Sequence, residues 1–417
     1  MKFRTPKVSS VFVLLMYLFV FQELIEKALP FFKYFDEFYA FFFIILLLKK
    51  KNKDYLLDKL KDNKYLRRGL FCIGAVLVIG AISSLIFLRQ PFLAVVYDVV
   101  TILKFPFAIL TTIVLFKSSD FSHNRESLKK NVTVLAIYFA VLSLLNYLIV
   151  FWPSTMRYGL MSNQLFYSHP GKLSVVCVYL SVINYLVSEK PMNGTHFILS
   201  GLIISTLRAK GIGFIVLATL LFALSKKVTK RYSYGVFAAA GAIVLLVAFN
   251  QVRLYYINQN SARYILTDTA IKVANDHFPI GAGFATYGSY GSVVSYSPLY
   301  HDYGIDSIAG FSEDNPVYVM DTFWPMVIAE FGYLGCIAYI GYVVFLLFDI
   351  QNVGNFKRNR KLYIAKLVCF AYLLISSTSE TAFVNPMAVT LATIIGLDYY
   401  RNKQAVLGTK NNKDGES

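Results

Sequence analysis

Gly69-Leu-Phe-Cys-Ile-Gly-Ala-Val-Leu-Val-Ile-Gly-Ala-Ile-Ser-Ser-Leu-Ile-Phe-Leu88 carries no charge over 20 residues and is fenced by Arg67 and Arg68 on one side and Arg89 on the other. A helix needs about 20 largely apolar residues to cross the hydrocarbon core of a bilayer, and here the basic residues stand where headgroups would lie. Similar runs recur along all 417 residues. They place about twelve spans, at 8–28, 35–48, 69–88, 93–116, 132–151, 172–187, 195–207, 211–224, 234–249, 323–348, 363–378 and 383–398. The chain is therefore expected to be an all-α polytopic integral membrane protein. Its composition agrees: 56% of residues are apolar and 16% charged, against roughly 45–50% and about 25% in soluble domains, which excludes a water-soluble enzyme.

Two details of this topology are open in the sequence. The first run begins with basic residues, as a secretory signal does, but Phe19, Val20, Phe21 and Gln22 offer no small-residue cleavage site, so it is expected to stay as an anchor. The short runs that meet between Leu207 and Gly211 read either as one kinked helix or as a re-entrant pair.

The net charge of +17 would suggest a nucleic-acid partner if it lay on a hydrophilic fold. Instead 29 of the 41 cations fall in alternate loops, nine of them between Lys49 and Arg68. By the positive-inside rule those loops and both termini are cytoplasmic. The excess reports orientation, and nucleic acid is not an expected partner. Cys72, Cys177, Cys336 and Cys369 sit inside apolar runs without metal-type spacing and read as small packed hydrophobes.

Cations on the opposite face need another reason. Arg157, Arg208, Lys210 and Arg263 stand there, while Lys104 lies inside a span, where a charge costs roughly 2.5–3.5 kcal/mol on insertion scales. Asp98, six residues earlier, is the partner expected for it. The longest outward segment is 250–322, which holds nine of the 30 tyrosines; such rings suit sugar faces and equally suit an interfacial belt. Within it, 261–275 has the apolar spacing of a short helix. Asp276-His-Phe-Pro-Ile-Gly-Ala-Gly-Phe-Ala-Thr-Tyr287 then turns on its glycines. Gly281 and Gly283 lack the flanking strand of a dinucleotide fingerprint. Four regions follow: membrane helices over 1–249, the outer loop over 250–322 with short helices, membrane helices over 323–398, and a cytoplasmic tail over 399–417. Asp321 opens the tenth span at the membrane surface, and Glu330 lies within that span, where a carboxylate is a functional candidate by default or else a packing acid.

Four stretches, in this order, resemble the O-antigen and capsule polymerase/ligase superfamily of the Wzy and WaaL type. Met156-Arg-Tyr-Gly159 with Tyr167-Ser-His-Pro-Gly171 resembles the family's Arg-Gly segment before a proline turn. Ser205-Thr-Leu-Arg-Ala-Lys-Gly211 resembles its turn between paired spans. Arg263 to Phe284 resembles its stretch of arginine, short helix and Pro-x-Gly-x-Gly-Phe, and Asp321 to Gly335 its Glu-x-Gly-x-x-Gly segment. Ligases carry His-Asn where this chain has Asp321-Thr322, which favours a polymerase.

The resemblance implies a membrane glycosyltransferase of a bacterial plasma membrane that joins polyprenyl-pyrophosphate-linked oligosaccharides into a surface polysaccharide on the outer leaflet. Flippase and chain-length regulator proteins would be partners besides the lipid bilayer, and no metal or cofactor would be needed, since the leaving pyrophosphate carries the bond energy. Arginine holds phosphate oxygens bidentately and never deprotonates, so Arg208 and Arg263 are expected to hold the phosphates, backed by Arg157 and Lys210. Asp321 is the expected base, with His277 and Asp276 behind it, and Tyr287 and Glu330 are expected at the substrate. Two alternatives are a ligase-like glycan transferase and, in a different class, a flippase or transporter of the same lipid-linked sugars. A third is a metal-dependent glycosyltransferase using Glu23, Glu26, Asp36 and Glu37.

Overall fold

The computed structural model describes residues 8–117, 125–223, 253–352 and 360–397. Within them the chain is helical apart from turns and one two-residue hairpin. In chain order the first helices are α1 (Val8–Val20), α2 (Gln22–Ala28), α3 (Phe35–Leu47), α4 (Lys50–Asp62), α5 (Lys64–Phe87), α6 (Phe92–Leu115) and α7 (Arg125–Ile149). The hairpin of β1 (Met156–Arg157) and β2 (Leu160–Met161) follows, then α8 (Pro170–Val187), α9 (Gly194–Ser205) and α10 (Ala209–Ala223). The last group is α11 (Ala262–Asp276), α12 (Tyr290–Val294), α13 (Pro298–Asp302), α14 (Trp324–Gln351), α15 (Arg360–Ser376) and α16 (Pro386–Ile395).

Five of these, α5, α6, α7, α8 and α14, are long and apolar enough to cross a membrane. The remaining expected spans are shorter helices, or, for 234–249, lie outside the described residues, as do the tail at 399–417 and the basic residues before residue 8. The run at 8–28 is broken at Phe21 into α1 and α2. Around Leu207 the chain makes two helices: Thr219 near the end of α10 meets His196 near the start of α9 at 3.4 Å, so the two run antiparallel.

Connections fall into two groups that never mix among the described residues. At one end Asn63 meets Asp349, Lys117 meets Asn52, and Arg125 and Lys361 donate to the carbonyls of Val187 and Ser188 at the foot of α8. At the other, Gln90 donates to the Ser295 carbonyl at 3.0 Å, Lys27 to the Phe166 carbonyl at 2.8 Å and Asn163 to Ser205 at 3.1 Å. Among the described residues the first end carries the basic segment 49–68 with Lys117, Arg125 and Lys361, and the second carries the candidate site.

Lys104 is not paired with Asp98. Its ammonium lies 2.7 Å from Asp36 and 2.6 Å from Glu37 on α3, all inside the bundle. Six residues along a helix turn the side chains to different faces, whereas only positions three or four apart meet. Asp98 instead accepts from the Ala285 amide at 2.9 Å and faces Glu330.

That contact belongs to the joint between the long apolar helices and the segment 253–322. α14 is broken at Gly332, whose φ of +61° is in the left-handed region. The turn after α11 fills the break: the amides of Ala282 and Gly283 donate to the carbonyls of Ala329 and Glu330 at 2.9 Å each, and the Leu334 amide donates to Pro279 at 3.2 Å. A carbon on Gly332 would lie 2.3 Å from the Pro279 carbonyl oxygen, and one on Gly281 would lie 2.3 Å from the Gly332 nitrogen. Only two glycines allow this approach. On the other side Ser83 donates to the Gly281 carbonyl, and Ser84 accepts from the Phe284 amide at 2.9 Å, so α5 grips the same turn.

Beyond the joint, Leu266, Ala270, Val273, Tyr287, Leu299 and Tyr300 form a separate apolar core. The Tyr287 hydroxyl donates to the Leu266 carbonyl at 2.9 Å, and the Tyr300 hydroxyl accepts from the Gly288 amide at 2.8 Å. A buried tyrosine whose hydroxyl is so satisfied builds structure.

Candidate functional site

The site begins with a strand turn. Met156 pairs with Met161 and Arg157 with Leu160, and the two residues between, Tyr158 and Gly159, both have positive φ, as a two-residue hairpin of the twisted type requires. This holds Arg157 beside the segment that enters α8. There His169 caps the helix: its Nδ1 accepts from the Gly171 amide at 3.0 Å. In a neutral imidazole one nitrogen accepts and the other carries the proton, so the proton is on Nε2.

His169 stays neutral because of its surroundings. Burial, reinforced by Arg208, Lys210, Arg157 and Lys172, pushes its pKa down to about 4. A side-chain carbon on Gly171 would come 2.9 Å from His169 Nδ1 and 3.7 Å from Lys210 Nζ, which places that lysine beside the ring. Arg208 and Lys210 come from the tight turn between α9 and α10, where Leu207 has a φ of +52°. The turn is anchored by the Asn163 amide, which donates to the Ser205 carbonyl at 2.9 Å.

Lys210 leads to the second half of the site. It pairs with Glu380 at 2.5 Å, and Arg263 at the start of α11 pairs with Asp321 at 2.8 Å. Glu380 and Asp321 are brought together because the Phe323 amide donates to the Ser377 carbonyl at 3.2 Å and the Trp324 indole to the Ser377 hydroxyl at 3.0 Å. Burial raises the Asp321 carboxyl above the usual carboxylate range; Arg263 opposes that rise, Glu380 adds to it and Lys210 reduces it. The Tyr256 hydroxyl donates to the Thr378 carbonyl and closes this edge.

A cavity of about 300 Å³ opens beside His169. One wall is polar and mainly acidic, with Glu23, Glu26 and Glu380 beside His169 and Lys172; another is apolar, with Phe19, Val176 and Met387. Glu23 ties the polar wall together, pairing with Lys172 at 3.1 Å and accepting from the Ser168 amide at 2.6 Å. Arg157, Arg208 and Lys210 do not line this cavity; they stand on the other side of His169.

The structure thus joins Arg157, Arg208, Lys210, Arg263 and Asp321, and separates the other expected residues from them. His277 and Asp276 stand at the far end of α11, about 20 Å from Arg263 at 1.5 Å per residue. The Nδ1 of His277 donates to the Val273 carbonyl at 2.8 Å and its Nε2 accepts from Arg89 at 3.2 Å. Both nitrogens are thus engaged within the protein. Asp276 accepts from the Tyr303 hydroxyl at 2.6 Å. Tyr287 and Glu330 are wholly buried at the α14 joint, with the Tyr287 amide donating to Glu330 at 3.1 Å.

Sequence reasoning passed over His169 and Glu380 as site residues. His169 lies in the quoted Ser-His-Pro-Gly stretch, where a histidine just before a helix-starting proline is a capping signal. Glu380 lies in Ser376-Ser-Thr-Ser-Glu-Thr381, a polar break between two apolar runs. No family model matches the chain, and no curated protein matches it.

Proposed function

We propose that this protein is a polymerase of surface polysaccharides, joining polyprenyl-pyrophosphate-linked repeat units on the outer face of a bacterial plasma membrane. The observation that carries this reading is the gathering of Arg157, Lys172, Arg208 and Lys210 around His169, beside a cavity with one apolar wall. An anion joined to a hydrocarbon tail is the ligand class that such a pairing fits. In this reading the Lys- and Arg-rich end is cytoplasmic.

The chemistry follows from the groups. Arginine and lysine stabilise the charge that develops on departing phosphate oxygens. The Nε2–H of His169 adds a neutral donor. An acceptor hydroxyl attacks the anomeric carbon, the bond from that carbon to the pyrophosphate oxygen breaks with the electron pair leaving on the oxygen, and the proton passes to Asp321. The raised proton affinity of Asp321 suits it to that step, and Arg263 orients it.

The test is the glycan profile of a strain that depends on this gene product. Arg208→Ala is expected to lower polymer formation by about 10²–10³, the usual cost of losing one transition-state donor, and to leave single lipid-linked repeats at the outer leaflet. Repeats held at the inner leaflet would identify a flippase instead, and long polymer from the variant would overturn the role of Arg208.

A further inference from the structure

α4 is held at the level where a bilayer would end. It joins the foot of α3 to the foot of α5, and it turns Tyr55, Leu56 and Leu60 toward the bundle while Leu57 is 45% exposed and Leu48 just before it 83% exposed. Its two halves differ in charge. In the C-terminal half Lys61 has Asp58 at 3.9 Å. At the other end Lys49, Lys50, Lys51 and Lys53 are joined by Lys117 from the end of α6, and none of the five has an ion-pair partner among the described residues.

These lysines act on one another. Lys117 donates to the Asn52 side chain and lies 5.6 Å from the centre of the Tyr55 ring. Burial, and after it Lys51 and Lys49, draw its pKa below the ordinary lysine value. Among the described residues, the acids of α4 nearest this corner are Asp54, which is exposed and pairs with none of the five lysines, and Asp58, which Lys61 takes. Exposed apolar side chains next to unneutralised lysines form a surface that is satisfied by a lipid with a negative headgroup, its chains beside Leu48 and its phosphate among the lysines.

We infer that Lys49, Lys51 and Lys117 form a binding site for an anionic phospholipid headgroup at the end of the bundle opposite the candidate site. Native mass spectrometry of the full-length protein, titrated with phosphatidylglycerol and with phosphatidylcholine, tests it. Phosphatidylglycerol is expected to bind at least about tenfold more tightly, and the triple variant Lys49→Gln, Lys51→Gln, Lys117→Gln to lose that preference, while Lys61→Gln keeps it. Equal binding of the two lipids, or an unchanged preference in the triple variant, would overturn the site. Should the triple variant not fold, the wild type decides: the preference is expected to weaken as salt rises from about 0.05 to 0.5 M, and a salt-independent preference would overturn the site equally.

Discussion

His169 and His277 are the same side chain in two settings, and the difference shows what separates a site from a scaffold. Both rings are neutral by their hydrogen bonds, and both have an arginine within reach. His277 gives its Nδ1 proton to Val273 and its Nε2 lone pair to Arg89, and its ring sits edge-on to Phe87 at 4.7 Å. Nothing is left over. His169 uses only its Nδ1 lone pair, on the Gly171 amide, and lines a cavity. Its Nε2 proton is available to whatever enters.

The contrast can be broken most sharply by removing each ring. On the proposed reading, His169→Ala is expected to lower polymer formation by about tenfold to a hundredfold, within the range that one positioned donor contributes, and to cost about 1 kcal/mol of stability through the lost cap on α8, too little to account for that loss. His277→Ala should do the reverse, costing about 2–3 kcal/mol in stability through the emptied space and the two stranded partners, with the per-molecule polymerisation rate kept. A variant that crosses these columns would end the distinction.

A smaller effect is expected at Arg89. Replacing it with Gln removes the donor to His277 and the 2.8 Å pair with Asp302, and about 1 kcal/mol of stability should be lost with the polymer profile unaltered. A loss of polymer at constant protein level would join the two ends of α11 into one site.

A further effect concerns pH. His169 in the folded protein has its pKa pushed down to about 4 from the usual 6.5, so between those values the unfolded chain binds a proton that the folded one refuses. Its contribution to stability is complete above about 6.5 and falls as the pH drops toward 4. His169→Gln should flatten the stability profile in that window relative to wild type. An unaltered slope would mean that the ring is open to solvent and charges normally.

What could be read from the sequence followed the range of each interaction. Apolar runs are local, so α3, α5, α6, α8, α9, α10 and α14 lie within a few residues of their expected bounds. Of the basic loops, only 49–68 and the flanks of the others lie among the described residues. Lys104 was beyond such reading, because its partners are 67 and 68 residues away, and the near acid lies on another face. Glu330 announced itself as an acid in an apolar run, yet its role depends on a turn some fifty residues earlier that docks beside it. The cations of the site were legible as unexplained charges; His169 and Glu380 gained meaning only when separate segments met. His277 is the instructive case, since its bond to Val273 spans four residues and lay within reach of a helix-capping argument.

The docked glycines of α14 also set an order of assembly. The wall provided by Ser83 and Ser84, and then the turn at Gly281, both leave the ribosome before Gly332 does. The turn can settle against α5 early, but the second half of the cleft arrives last. The segment is therefore fastened in two steps, first to Ser83, Ser84 and Asp98 and last to the break in α14, and a chain that stops short of residue 332 would keep only the first.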